Sequence, residues 1–219
     1  MTRLSVVEER AVLTAISLVL FLLFGGSALR SPDGMEMLRL SASWLGSPTE
    51  VGDPNFWPPL WSLLNVPGVA LGYDTAGARL LNLGLWGALA WPLHRLSTLL
   101  GGRPAGRIAV AVYVLMPTFL THAAVLDARP LGALITTAFF AAAVAAVQQQ
   151  KGSAAVVLLA ALAPMARPEG ILLPVVTAGV VWMAGQGWRR AALSAAVAVL
   201  PHAVLRSSLR GLSGHEQWF

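Results

Sequence analysis

Residues 11–40, AVLTAISLVLFLLFGGSALRSPDGMEMLRL, decide how the chain is read. Ala11 to Leu29 contains no charged residue, and its length matches the roughly 20 apolar residues that a helix needs to cross a hydrocarbon core about 30 Å thick. Glu8 and Glu9 precede this run, which is longer than the apolar core of a typical secretory leader, so it reads as an uncleaved first helix. Beyond Arg30 the pattern changes. Asp33, Glu36, Glu50 and Asp53 are four of the ten acidic residues of the chain. Acid gathered in one loop of an apolar protein points to a polar site at a membrane surface.

Composition supports the same reading. The chain has 219 residues, 56% hydrophobic and 11% charged. A soluble globular chain carries about 25% charged residues. Further apolar runs recur along the sequence, and lipid forces such segments to satisfy their own backbone hydrogen bonds as helices. Strand-like alternation is absent, which argues against an outer-membrane barrel. The net charge of +5 comes from arginines at the ends of apolar runs. That placement fits topology determinants and excludes a nucleic-acid surface. With no cysteine, disulfides and thiolate chemistry are excluded.

The expected fold is therefore all-α: one polytopic membrane domain over residues 1–219, with about seven transmembrane helices and no separate soluble domain. The expected spans are residues 11–29, 76–100, 108–126, 131–147, 153–165, 171–183 and 191–205. Pro117 is expected to kink the third. In the outer loop, about residues 30–58, Gly34 to Leu45 reads as a short amphipathic interfacial helix. A second begins at Pro58 or Pro59. Trp44, Phe56, Trp57 and Trp61 are expected at headgroup level. With a cytoplasmic N-terminus, the inner segments hold eight basic and two acidic residues, net +6. The outer segments hold seven basic and eight acidic residues, net −1. This orientation places the acidic loops outside a cytoplasmic membrane.

Three connections then share the outer face. Asp33 is the first candidate general base, since burial and neighbouring charge can match a carboxyl to that task. The bland reading is an N-cap for the interfacial helix. Glu36 and Asp53 belong to the same loop. Asp127, beside Arg129, offers a second carboxylate and a possible oxygen ligand for a divalent metal ion, or a hydrated turn. Arg167-Pro168-Glu169-Gly170 ends a short helix. Its guanidinium could grip a phosphate bidentately, or it could snorkel beside a capping glutamate. His94, His122, His202 and His215 have no metal-site spacing, and Gly101-Gly102 reads as a turn.

In combination these stretches resemble the GT-C superfamily of polytopic glycosyltransferases, in its bacterial branch related to protein O-mannosyltransferases and aminoarabinose transferases. SPDGMEMLRLSASWLGSP resembles that family's first outer loop, and NFWPPLWSLL its Pro-Pro-Leu segment. AGARLLNLGLWGAL resembles its entry into the second helix. MPTFLTHAAVLDARPLGAL resembles its pattern between helices 3 and 4, although Ala128-Arg129 separates the acid from Pro-Leu. LAALAPMARPEGILLPVV resembles its Arg-Pro-Glu-Gly motif. The match spans roughly residues 11–180 and corresponds to the family's N-terminal conserved membrane module. It implies transfer of a sugar from a polyprenyl-phosphate donor at the outer face, with Asp33 deprotonating the acceptor. The second acidic loop of the family falls on Asp127. Glu36, Asp53, Asp127, Arg167 and Glu169 are substrate-binding candidates. The implied partners are the lipid-linked sugar, the bilayer and a chain supplying further C-terminal helices. The alternative expectation is a non-catalytic membrane subunit that binds a lipid phosphate or a partner protein.

Overall fold

The computed structural model describes residues 5–24, 31–47, 59–123, 125–152 and 154–212. Among these, the chain is all-α. Its helices are α1 (Val6–Phe24), α2 (Pro32–Ser43), α3 (Pro59–Ala70), α4 (Asp74–Leu115), α5 (Pro117–Ala123), α6 (Arg129–Gln149), α7 (Ala154–Ala166), α8 (Leu172–Met183) and α9 (Trp188–Leu212). A 3₁₀ turn, Pro168–Ile171, joins α7 to α8.

Helix α4 is a hairpin rather than a rod. Straight, its 42 residues would span about 63 Å and would part Trp86 from Tyr113 by about 40 Å. Their ring centroids lie 6.4 Å apart, and the Tyr113 hydroxyl donates to the Trp86 carbonyl at 2.6 Å. The fold-back occurs at Gly102, whose φ of 78° is open to glycine at little cost. Phe21 of α1 lies against both arms, 6.3 Å from Trp86 and 5.5 Å from Tyr113. With Phe119 of α5, these rings centre one core. A second, alanine-rich core joins α2, α3, α6, α7 and α8 through Trp61, Leu126, Phe139, Val156 and Ala160, all almost wholly buried.

Two expectations require correction. Pro117 does not kink a continuous helix over 108–126. The helix stops at Leu115, Met116 is extended, and α5 starts at Pro117, because proline pushes the residue before it out of the α region. Trp61 is not a headgroup anchor. It is fully buried, and its Nε1–H donates to Asn82 Oδ1 at 2.8 Å. Phe56 and Trp57 lie outside the described residues, as do Glu50, Asp53 and the stretch Gly25–Leu29 of the expected first helix. The other helices lie close to the expected apolar runs, with α1 starting at Val6 and α9 continuing to Leu212.

Besides the two apolar cores, large apolar side chains are exposed on several helices. Val12, Ile16, Val19 and Leu23 of α1 face outward, while Glu9 and Ser17 of the same helix are buried. Val175 and Trp182 of α8, with Leu193 and Leu200 of α9, are also exposed. Inside, Asn82, His94 and Thr177 are fully buried. Monomeric soluble proteins rarely expose contiguous apolar faces on this scale. Among the described residues one helix, α6, is both long and apolar enough to cross a membrane; α7 and 168–183 are shorter apolar helices.

The contacts define two ends. At one, Glu9 reaches His94 and Arg107, Gln148 Nε2 donates to the Leu99 carbonyl, and Gly152 approaches Gln186. At the other, Ser31 meets Leu126 and Arg167 lies across Gly132.

Candidate functional site

The second end gathers Asp33, Asp127, Arg129, Arg167 and Glu169, and the sequence explains how. Ser31 is the N-cap of α2. Its Oγ accepts from Gly34 N at 2.9 Å, and Pro32 sits in the first turn, a favoured N-terminal arrangement. The bland reading of Asp33 as the cap is thus displaced by Ser31. Asp33 lies one residue into the helix, exposed to solvent.

The Ser31 hydroxyl also donates to the Leu126 carbonyl at 2.6 Å. A Cβ on Gly34 would come within 2.0 Å of that same oxygen, so only glycine permits this approach. From the other side, Asn82 Nδ2 donates to the Val125 carbonyl at 2.9 Å, while its Oδ1 accepts from Trp61. Residues 125–126 are therefore clamped between α2 and α4 by uncharged groups.

This clamp presents Asp127. Its Oδ1 accepts from Arg129 N at 2.8 Å, and its Oδ2 lies 3.1 Å from Arg129 Nε. Burial pushes the Asp127 carboxyl above its ordinary value, against the opposing pull of Arg129 and Arg167. Arg129 in turn approaches His122 Nδ1 at 3.3 Å.

Arg167 is seated by Gly132. A Cβ there would stand 2.4 Å from the arginine Cδ, so the side chain crosses α6 where no other residue would let it pass. Arg167 then forks onto Glu169, Nε to Oε2 at 3.1 Å and Nη2 to Oε1 at 2.9 Å. That pairing holds the Glu169 carboxyl below its ordinary value. Glu36 is taken by Arg39, one turn along α2.

The structure thus sets Arg167 beside both Asp127 and Glu169, brings the start of α2, which carries Asp33, to the Asp127 loop through Ser31 and Leu126, and leaves Glu36 paired along α2. Asp53 lies outside the described residues. Among the described residues no group of three or more His, Asp or Glu side chains is placed to hold a metal ion; the neighbours of Asp127 are basic. The arrangement offers two exposed carboxylates, Asp33 and Glu169, a buried one, Asp127, and two guanidinium groups at the rim of an apolar bundle. It can accept a proton and neutralise an anion.

Sequence reading missed a second polar cluster at the opposite end. Glu9, 8% exposed at its side chain, accepts two hydrogen bonds of 2.8 Å from Arg107 and lies 3.5 Å from Arg103. His94 Nε2 stands 3.1 Å from Glu9 Oε1. Arg10 Nε–H can only donate, and it points at His94 Nδ1 at 3.2 Å. The ring is therefore assigned its proton on Nε2, facing the carboxylate. These partners lie 85 and 98 residues apart in sequence, so no local spacing announces them. The available signal was Glu8-Glu9 itself, two acids at a segment otherwise read as basic.

No protein-family model, curated protein or solved structure matches the chain.

Proposed function

We propose that the protein is a membrane-embedded glycosyltransferase of GT-C type. It would move a sugar from a polyprenyl-phosphate donor to an acceptor at the outer face of the cytoplasmic membrane. The observation that carries this reading is the convergence of Asp33, Asp127 and Arg167 at one end of a bundle whose outward faces are apolar.

In this account α1, the two arms of α4 (the second continued by α5), α6, α7, α8 and α9 are seven passes through the bilayer. The exposed valines and leucines of α1, α8 and α9 face lipid, where they need no polar covering. The end holding Arg10, Arg95, Arg103, Arg107, Lys151, Arg189 and Arg190 faces the cytoplasm. Helix α2 lies at the outer interface. There the Asp33 carboxylate takes the proton of the acceptor hydroxyl. The acceptor oxygen forms the new bond to the anomeric carbon as the bond to the polyprenyl phosphate breaks. The departing phosphate carries the electron pair and the charge. Arg167 is placed to neutralise it if Glu169 yields, and charge-assisted Arg–phosphate pairs are strong enough to compete for such a fork.

One observation favours a second reading. Arg129 and Arg167 are each already held by a carboxylate, as in a structural rim. A non-catalytic subunit that docks a lipid phosphate or a partner protein would present the same groups.

Protein reconstituted in lipid, given a radiolabelled polyprenyl-phosphate sugar and a membrane acceptor extract, distinguishes the two. The transferase reading expects label in the acceptor. Retention of all label on the donor by a folded sample would overturn it and leave the docking subunit.

A further inference from the structure

We infer that Ser31 and Gly34 are positioning residues: together with the Leu126 carbonyl they form a joint that fixes Asp33 against Asp127, so that the two carboxylates face one substrate. The role given to Asp33 rests on the transferase reading; the joint does not.

The two acids come from distant parts of the chain, and no charged contact links them. What links them is one carbonyl oxygen. Leu126 is 1% exposed and immediately precedes Asp127. Its oxygen takes the Ser31 proton, while Gly34 lies against it too closely for any Cβ. Asp33 stands between these two residues. Three consecutive features therefore refer the Asp33 backbone to the Asp127 loop: the cap hydroxyl, the buried glycine and the Gly34 N–H that orients the hydroxyl. Asn82 holds the loop from behind, so a shift at the joint falls on α2 rather than on the loop.

A capping serine needs only to accept from the helix amides. Here its single proton is also committed, to a carbonyl 95 residues away. Loss of the hydroxyl would leave that buried oxygen unpaired and free the start of α2. Displacement of a reacting group by about 1 Å can cost about a hundredfold in rate. The expected signature is thus a loss in turnover with little change in substrate affinity.

The test uses Ser31→Ala, Gly34→Ala and Ser31→Thr in the full chain in lipid, with two readouts. Absence of native cysteine allows spin labels at Leu45→Cys and Met116→Cys, both exposed. Their electron–electron distance distribution is expected to shift or broaden in Ser31→Ala and Gly34→Ala and to stay as in the parent in Ser31→Thr. In the transfer assay, Ser31→Ala is expected to lose about tenfold to a hundredfold in kcat, with donor KM within about twofold and Ser31→Thr largely restored. An unchanged distance in Ser31→Ala overturns the joint. A shifted distance with unchanged kcat overturns its bearing on Asp33. If the parent transfers nothing, the transferase reading fails, while the distance measurement still decides the joint. Should Gly34→Ala not fold, Ser31→Ala carries both readouts.

Discussion

The two ends of this molecule both hold carboxylates beside arginines, yet they are built in opposite ways. At the end of Glu9, one buried carboxylate is surrounded by Arg107, Arg103 and His94, and its acceptor positions are taken. At the end of Asp33, the carboxylate is exposed, and the machinery that places it is neutral: a serine, a glycine, an asparagine and carbonyl oxygens. The first arrangement spends its charge on holding α1 to the α4 hairpin. The second holds the start of α2 without charge and leaves the Asp33 carboxylate at the surface. Acid count alone, which drew the sequence reading to residues 33–53, does not separate a lock from a site. Burial and partners do.

The largest expected effect comes from breaking the lock. Glu9→Gln leaves Arg107, Arg103 and the assigned His94 N–H facing a neutral amide. Removing one partner of a buried ion pair costs several kcal/mol; about 2–3 kcal/mol is expected here, since Arg107 can turn toward water. A thermal melt in lipid or detergent reads it. A change below about 0.5 kcal/mol would dissolve the distinction between the two ends.

Next is the neutral frame. Asn82→Ala strands the buried Trp61 N–H and removes the donor to the Val125 carbonyl. About 2 kcal/mol is expected for these unsatisfied groups. Transfer should fall as well, since the same asparagine backs the Asp127 loop.

Smaller effects test the charges of the open end, and they have opposite signs with pH. Burial raises the Asp127 carboxyl. Its contribution to stability is therefore full below the ordinary carboxyl range and is lost as pH rises through the raised value. Asp127→Asn removes this loss, so the mutant should gain on the wild type as pH climbs from about 4 to 7, by less than about 1 kcal/mol. Glu169 is lowered by its fork to Arg167. Its contribution is present above the ordinary range and fades as pH falls through the lowered value. With 67% of its side chain exposed, Glu169→Gln should cost between about 0 and 1 kcal/mol. Paired melts from about pH 2 to 7 cover both windows, the Glu169 loss below the ordinary carboxyl range and the Asp127 loss above it, and show whether the two slopes differ in sign.

Much of the architecture was legible in residues 11–40 and in the breaks between apolar runs. The interfacial helix expected over Gly34–Leu45 is present as α2, but it runs Pro32–Ser43 because Ser31 rather than Asp33 is its cap. Arg167-Pro168-Glu169-Gly170 ends α7 where the sequence says it must. The gathering of the Asp33, Asp127 and Arg167 loops followed from alternation of helices between two faces. What stayed hidden depends on contacts between distant residues. Gly132 looked like an ordinary helix glycine until Arg167 was seen crossing it. Trp61 belonged by composition to the interface, yet Asn82, 21 residues on, draws it into the core. His94 was one of four scattered histidines; only the fold brings Glu9 to it.

The most direct test of the account sets the two ends side by side. Asp33→Asn and Glu9→Gln are prepared in lipid, and each is measured for sugar transfer and for melting temperature in the same sample. Asp33→Asn is expected to abolish transfer while melting like the wild type, because the exposed carboxylate holds nothing in place. Glu9→Gln is expected to melt lower yet to transfer at temperatures where it remains folded. Wild-type transfer by Asp33→Asn would remove Asp33 from the chemistry and return the open end to a structural role.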